Sequence, residues 1–501
     1  MKKNKLLMFL PISLASVFAL SGCGQEEETK VLRILNCEDY IYEYEEGDEE
    51  YAVGKYDYQM DMVDQFIAYW ADTHDGEEIE VVYDTFDTNE TMFNELQTGK
   101  TTYDVIVPSD YMVQKLLSND MLEKFDEDKL DELWENISPY LKDKFEGIKA
   151  GEESIYNYSI PYMWGTVGVM YNPEYYELEE DHVHELFADW DSLYGEELQG
   201  SFSIKDSVRD TYAVSLIHNY RDTIAGITDN AELTSVFNRS DADTMAEVKA
   251  DMLKLKENAF GFECDSGKTD MTTQKIGANM CWSGDATWAI TEAEEFDLTL
   301  YYSIPTSYNG EEAKGASNVW FDGFCMPKSD DLHKDLAQEF IKFMSQPENA
   351  AQNCYCVGYT PGVAGDAMLD YVYDSYDVRG VVGGESDEEY VEYDLRYFFK
   401  DSLDEYNEND AILHASTDYV GRQLTAQYPS ADILDRLAIM NDFGPEGNAR
   451  LLDMWEQVRT NALPVWGIIV LAIEVVAGIA FAAYLITHKV NRKRFKKERR
   501  S

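Results

Sequence analysis

The sequence predicts a two-lobed α/β protein, and three observations carry that expectation. Apolar runs of strand length alternate with segments of helical periodicity, which calls for a mainly parallel sheet covered on both faces. At 501 residues the chain is too long for one small core. Two extended apolar stretches, 159–172 and 318–324, are spaced to carry the chain from one lobe to the other and back.

Taken in order, residues 31–35 form an opening strand that runs into Asn36-Cys37-Glu38-Asp39-Tyr40. Carboxylates and a tyrosine at a strand's C-terminal end lie where open α/β sheets bind ligands. Met62, Val63, Phe66, Ile67 and Trp70 recur at helical spacing. Residues 79–86 make a strand, and Asn89-Glu90-Thr91-Met92-Phe93 opens a helix that ends near Gly99. A short buried strand at 105–107 delivers Pro108-Ser109-Asp110-Tyr111, with Ser109 or Asp110 as cap of the next helix. Ser159-Ile160-Pro161-Tyr162-Met163-Trp164-Gly165 leads into the first crossing. Beyond it, Asp206-Ser207-Val208-Arg209-Asp210 precedes a helix, and Cys281-Trp282-Ser283-Gly284-Asp285 follows a short apolar strand.

The return crossing holds Trp320 and Asp322, which share a strand face about 7 Å apart. An indole beside a carboxylate suits an organic cation with an alkyl body. The ring takes the methylenes and part of the charge, and the carboxylate takes an ammonium. The plainer alternative is a buried Trp320 with Asp322 starting a turn at Gly323. An amphipathic helix at 336–344 and a turn at 356–361 close the pattern.

Charge narrows the partners. The chain has 41 basic and 97 acidic residues, a formal net charge of −56. Setting aside three lysines in the first 23 residues, and eight basic and two acidic residues in the last 39, leaves 30 against 95, about −65. Such a surface repels nucleic acid and anionic headgroups and draws cations in.

The ends give an address. Met1-Lys2-Lys3-Asn4-Lys5 is a basic start, residues 6–20 are apolar, and Leu20-Ser21-Gly22-Cys23 resembles the bacterial lipobox, which implies a lipidated Cys23. Residues 463–486 are long enough to cross a bilayer, and the basic tail 487–501 then lies in the cytoplasm with the acidic middle outside. Glu474 falls at the centre of that span. The other six cysteines, Cys37, Cys264, Cys281, Cys325, Cys354 and Cys356, have no disulfide-framework spacing and read mostly as small buried residues.

Eight motifs occur in order: Asn-x-x-Asp-Tyr (36–40), Thr88-Asn89-Glu90, Val-Pro-Ser-x-Tyr (107–111), Ile-Pro-Tyr-x-Trp-Gly (160–165), Asp-Ser-x-Arg-Asp (206–210), Trp-x-Gly (282–284), Trp-x-Asp (320–322) and Gly-Tyr-Thr-Pro (358–361). Over residues 30–455 the chain resembles the spermidine/putrescine-binding component of bacterial polyamine ABC importers. The resemblance implies a type II periplasmic-binding-protein-like fold that closes on a linear polyamine. It implies a first-lobe site of Glu38, Asp39, Tyr40, Ser109 and Tyr111. The second lobe and hinge would add Asp210, Trp282, Trp320, Asp322 and Tyr359, with Asp206 substituting for an acid the family often has at the position of Ser207. Two further departures are Cys37 where an aromatic is common and Met440 where a late Gln is expected. The carry-over agrees with chemistry, because ammoniums are costly to desolvate unless met by carboxylates, and methylenes want flat apolar walls.

The expected organisation is a signal peptide at 1–23; lobe 1 at 30–160 with 320–365 returning to it; lobe 2 at 161–319 with 430–460 returning. An acidic insertion of surface helices follows at 366–429, then the membrane helix and the tail. His182 and His184 form a possible metal pair on a strand, outweighed by a solvated linker. Abundant acids could imitate a glycosidase pair, but no nucleophile elbow, HExxH or phosphate loop accompanies them. The sequence thus reads as an extracellular binding protein with no metal, cofactor or catalytic residue. Its partners are a polyamine and a membrane permease whose ATPase is a separate subunit. The alternatives are another cationic or small organic solute on the same fold, or an extracellular carbohydrate hydrolase.

Overall fold

The structure, a computed structural model, describes residues 29–45, 51, 54–264, 266–308 and 315–460. The expected signal peptide, Cys23 and the membrane helix at 463–486 lie outside the described residues. Among the described residues no helix is long and apolar enough to cross a membrane.

Two long strands form the seam of the molecule. Ser159–Tyr171 and Ser317–Pro327 pair antiparallel from Val319 opposite Thr166 to Cys325 opposite Ser159, with a shift in register between Asp322 and Gly323. Every residue of both is buried, as strands covered on both faces require. On one side Val105–Ile106, Lys30–Cys37 and Ile79–Phe86 continue the sheet in parallel. On the other, Ala278–Trp282 pairs antiparallel with the first crossing strand, followed in parallel by Phe202–Lys205 and Gly261–Glu263. Within this sheet each lobe is therefore parallel internally, and antiparallel pairing is confined to the seam and its flanks.

Local chemistry explains most elements. Met62–Thr73 buries Met62, Phe66 and Trp70 along one stripe. Asn89–Thr98 starts at a Thr88–Thr91 capping box and ends on Gly99 at φ 58°, a left-handed stop that glycine takes without strain. Five readings need correction, one of them the alternative of a turn at Gly323. Ser109 stands at a helix N-cap but makes no cap bond; its hydroxyl instead accepts from Asn89 Nδ2 at 2.9 Å, and its N–H donates to Asn89 Oδ1 at 3.0 Å. Gly323 is no turn: it lies inside the return strand, where an added Cβ would fall 2.1 Å from Ser159 Oγ. His182 and His184 lie on helix Glu180–Phe187, not a strand, where i and i+2 point apart. His182 meets Glu197 at 3.1 Å and His184 meets the Tyr171 hydroxyl at 2.8 Å. Of the six cysteines, Cys281, Cys325 and Cys354 are buried and three are only half-buried.

The fifth correction concerns 366–429, which is woven into the core. Helix Asp366–Tyr376 buries Met368, Leu369, Tyr371, Val372, Tyr373 and Tyr376. Its contacts run to helix Pro347–Val357, and those of Gln423–Gln427 to Ser283–Glu294. Gln427 is the hub: its Oε1 accepts from the Tyr376 and Tyr371 hydroxyls at 2.7 and 3.3 Å, and its Nε2 donates to the Gly358 carbonyl at 3.1 Å.

Candidate functional site

The parallel strands deliver their C-terminal ends to the seam, which is where side chains from different strands can converge on one solute. Lys30–Cys37 leads to Glu38, Asp39 and Tyr40; Val105–Ile106 leads to Ser109 and Tyr111; Phe202–Lys205 leads to Asp206 and Asp210; Ala278–Trp282 ends on Trp282. The return strand adds Trp320 and Asp322, and Tyr359 precedes a short strand paired with the first crossing. All eleven line one interlobe cavity of about 260 Å³.

Tyr40 holds the centre. Its hydroxyl donates to Asp322 Oδ2 at 2.7 Å. Its ring meets Tyr359 edge-on at 4.8 Å and Tyr162 at 5.3 Å, the arrangement that ring quadrupoles favour. Trp320 flanks Tyr359 at 5.9 Å. The Tyr359 hydroxyl donates to Asp285 at 2.8 Å, and Gly284 permits this approach because an added Cβ would fall 2.2 Å from the Tyr359 ring. Trp282 Nε1 donates to Asp210 at 3.0 Å, and the Tyr111 hydroxyl donates to Glu90 at 3.2 Å.

Burial sets the electrostatics. It pushes the Asp322 carboxyl up to about 6, with the Ser109 and Tyr40 hydroxyls opposing and the charge of Asp210 adding to it. Burial likewise holds Asp110 well above the usual carboxylate range, against the Tyr111 N–H, and raises Asp210. For Asp285 burial again pushes upward, but Lys205 and Lys268 outweigh it and hold the group below its ordinary value. Burial lowers Arg209, whose guanidinium carbon lies 4.7 Å from the Tyr111 ring centre and 4.0 Å from that of Phe443. Asp322 Oδ1, Asp110 Oδ2 and Arg209 Nε and Nη1 are buried without a hydrogen-bond partner among the described residues. Such atoms are costly in a closed core; on a cavity wall they are positions for a ligand.

Sequence reasoning missed several of the lining groups. Glu90 and Asp110 sit inside motifs already singled out, and Asp285 opens the helix after Trp282. It gave the cations no role, although Arg209 lies inside the Asp-Ser-x-Arg-Asp motif. Lys205 is buried, with Nζ 2.9 Å from Asp285 and 4.2 Å from the Trp282 ring centre. Lys268 and Arg209 line the cavity itself. A lone lysine in the buried strand Phe-Ser-Ile-Lys was the available signal, since it requires a carboxylate partner. Asp206 reaches the cavity, but Arg459 holds its Oδ2 at 2.8 Å. Cys37 and Met440 also line the wall.

The comparisons agree with this architecture. Residues 62–368 match the family of bacterial extracellular solute-binding proteins. The chain is 27% identical over 374 residues to the putrescine-binding periplasmic protein SpuD of Pseudomonas aeruginosa, covering 72% of this chain and 85% of that one. It is 26% identical over 293 residues to the spermidine/putrescine-binding periplasmic protein of Escherichia coli, covering 58% and 73%. Among solved structures it is similar in fold to the spermidine/putrescine ABC transporter substrate-binding protein PotD of Streptococcus pneumoniae. The TM-score is 0.53 at 23% identity, over 86% of this chain and 99% of that one. The family is one of binding proteins, not enzymes, and it sets the hydrolase alternative aside. On the family match, which spans more than half of its residues, the chain belongs to the bacterial extracellular solute-binding proteins.

Proposed function

We propose that the protein captures a linear polyamine of the putrescine/spermidine class outside the cell and delivers it to a membrane permease of an ABC importer. One observation carries the reading: Asp322 is buried at the seam with one oxygen on Tyr40 and the other without a partner among the described residues, beside the walls of Trp320 and Tyr359. A desolvated carboxylate of this kind takes an ammonium, and the rings take the methylenes. The names of the similar proteins from Pseudomonas aeruginosa and Escherichia coli support the same solute class.

The proposed contacts are Glu38, Asp39, Tyr40, Ser109, Tyr111, Asp206, Asp210, Trp282, Trp320, Asp322 and Tyr359. The ligand bridges the lobes, which we take as 30–160 with 320–365 and 161–319 with 430–460, and so favours the closed form that docks on the permease. ATP is hydrolysed by a separate cytoplasmic subunit. Lipidation at Cys23 and a helix at 463–486 tether the chain to the membrane, with the basic tail inside the cell and Glu474 against a permease helix. If Glu474→Leu leaves co-purification with the permease unchanged, that last contact is wrong.

Calorimetric titration with putrescine, spermidine and a panel of neutral sugars tests the main reading. Saturable binding of an amine, with no heat from the sugars, is expected. Binding of a sugar, or of neither, overturns it.

A further inference from the structure

Five of the nine carboxylates that line the cavity fall into two sets. Asp322, Asp110 and Asp210 form no ion pair with a lysine, arginine or histidine among the described residues, and Asp322 and Asp110 each carry a buried unpartnered oxygen. Arg209 lines the same side and its charge partly offsets Asp110 and Asp210, so Asp322, which no cation opposes, is where added positive charge is stabilised most. Across the Tyr40–Tyr359 pair the situation reverses. Lys268 Nζ lies 3.4 Å from Asp39 and 3.9 Å from Asp285, with the Trp288 ring centre at 5.4 Å. Asp285 holds Lys205 as well, at 2.9 Å. Lys268 lines the cavity with its side chain 18% exposed. A half-buried primary ammonium between two carboxylates and beside an indole is the environment a ligand amine seeks. Here a side chain already occupies it.

We propose that Lys268 stands in for the outermost ammonium of a longer polyamine, so that the cleft selects a linear diamine over a triamine. The inference rests on the polyamine reading above and adds its specificity. A diamine can spread both charges along the Asp322, Asp110 and Asp210 side. A triamine must send its third ammonium toward Lys268, where it either stands beside a like charge or expels the lysine from Asp39 and Asp285. Either route weakens binding of the longer ligand and leaves the shorter one untouched.

Titration calorimetry on the full chain with putrescine and with spermidine, in wild type, Lys268→Met and Lys268→Arg, tests this. Methionine keeps the apolar stem and removes the charge, whereas arginine keeps the charge. Wild type is expected to bind putrescine more tightly. Lys268→Met should shift the affinity ratio toward spermidine by about tenfold, and Lys268→Arg should not shift it. Thermal melts of both variants report whether the fold is retained. A wild type that prefers spermidine, or an unchanged ratio in Lys268→Met while both amines still bind, overturns the inference and leaves the polyamine reading standing. Binding of neither amine to wild type overturns the polyamine reading, and this inference with it.

Discussion

Tyr40 and Asp322, 282 residues apart in the chain, are joined by a 2.7 Å hydrogen bond in which the phenol donates to the carboxylate. The bond ties the loop after the first strand to the middle of the return strand. It satisfies Oδ2 and leaves Oδ1 without a protein partner among the described residues. The tyrosine thus orients the acid without consuming its capacity to accept.

Asp322 should make both stability and binding depend on pH. Burial pushes its carboxyl from an ordinary 3.8 up to about 6. Between those values the folded chain holds a proton that the unfolded chain has released, so stability falls as pH rises through the window. Above pH 6 the buried charge costs roughly 3 kcal/mol until an ammonium meets it. Amine affinity runs the other way, weakening about tenfold per unit as pH falls below 6. Burial also raises Asp110 and Asp210, which deepens the same trend. Calorimetry across this range should give that slope in wild type and a weaker, flatter profile in Asp322→Asn.

Gly284→Ala should damage the cavity wall. Its Cβ would fall 2.2 Å from the Tyr359 ring, displacing the phenol that donates to Asp285. A loss of about 1–3 kcal/mol is expected from overpacking, read by denaturant unfolding, together with weaker amine binding.

Trp282→Phe separates wall from donor. The phenyl keeps a flat surface, but Asp210 loses the Nε1 bond at 3.0 Å, worth about 1 kcal/mol or roughly fivefold in affinity. Trp282→Ala should cost more, since it also removes the face against which Lys205 stands at 4.2 Å. Titration of the two variants in parallel checks the order.

Gln427→Leu should destabilise the protein by about 2–4 kcal/mol. It strands the Tyr371 and Tyr376 hydroxyls and the Gly358 carbonyl in the core. Thermal unfolding should show the loss, while binding stoichiometry stays at its wild-type value.

The seam was legible because its strands are covered on both faces and read as unbroken apolar runs. The cavity residues were legible because they cluster in short motifs at strand ends, where topology brings them together. Ion pairs were not. Lys205 and Asp285 are 80 residues apart, and nothing local marks one as the other's partner. An excess of acids hid the few cations that matter. The segment 366–429 misled for a related reason. Asp366, Asp370 and Asp374 recur every fourth residue and set an acidic stripe along Asp366–Tyr376, while the opposite stripe of Met368, Leu369, Val372 and Tyr376 is core. The cap bond expected of Ser109 and the alternative of a turn at Gly323 fail because capping and turn preferences are local, whereas Asn89 and Ser159 reach these positions from other elements.

The bond from Gln427 to the Gly358 carbonyl has a practical corollary for anyone engineering this chain as an amine sensor. Gly358 and Thr360 flank Tyr359, and the Thr360 hydroxyl donates to the Gln427 carbonyl at 2.9 Å, so the acidic segment is wired to the cavity wall on both sides of that tyrosine. Excising it, or splicing a reporter into its inner half, would loosen the tyrosine on the cavity wall; even the hairpin of Tyr390–Asp394 with Ile412–Ser416 buries Tyr393, Leu413 and Ala415, so an insertion belongs in the exposed stretch 387–389 just before it.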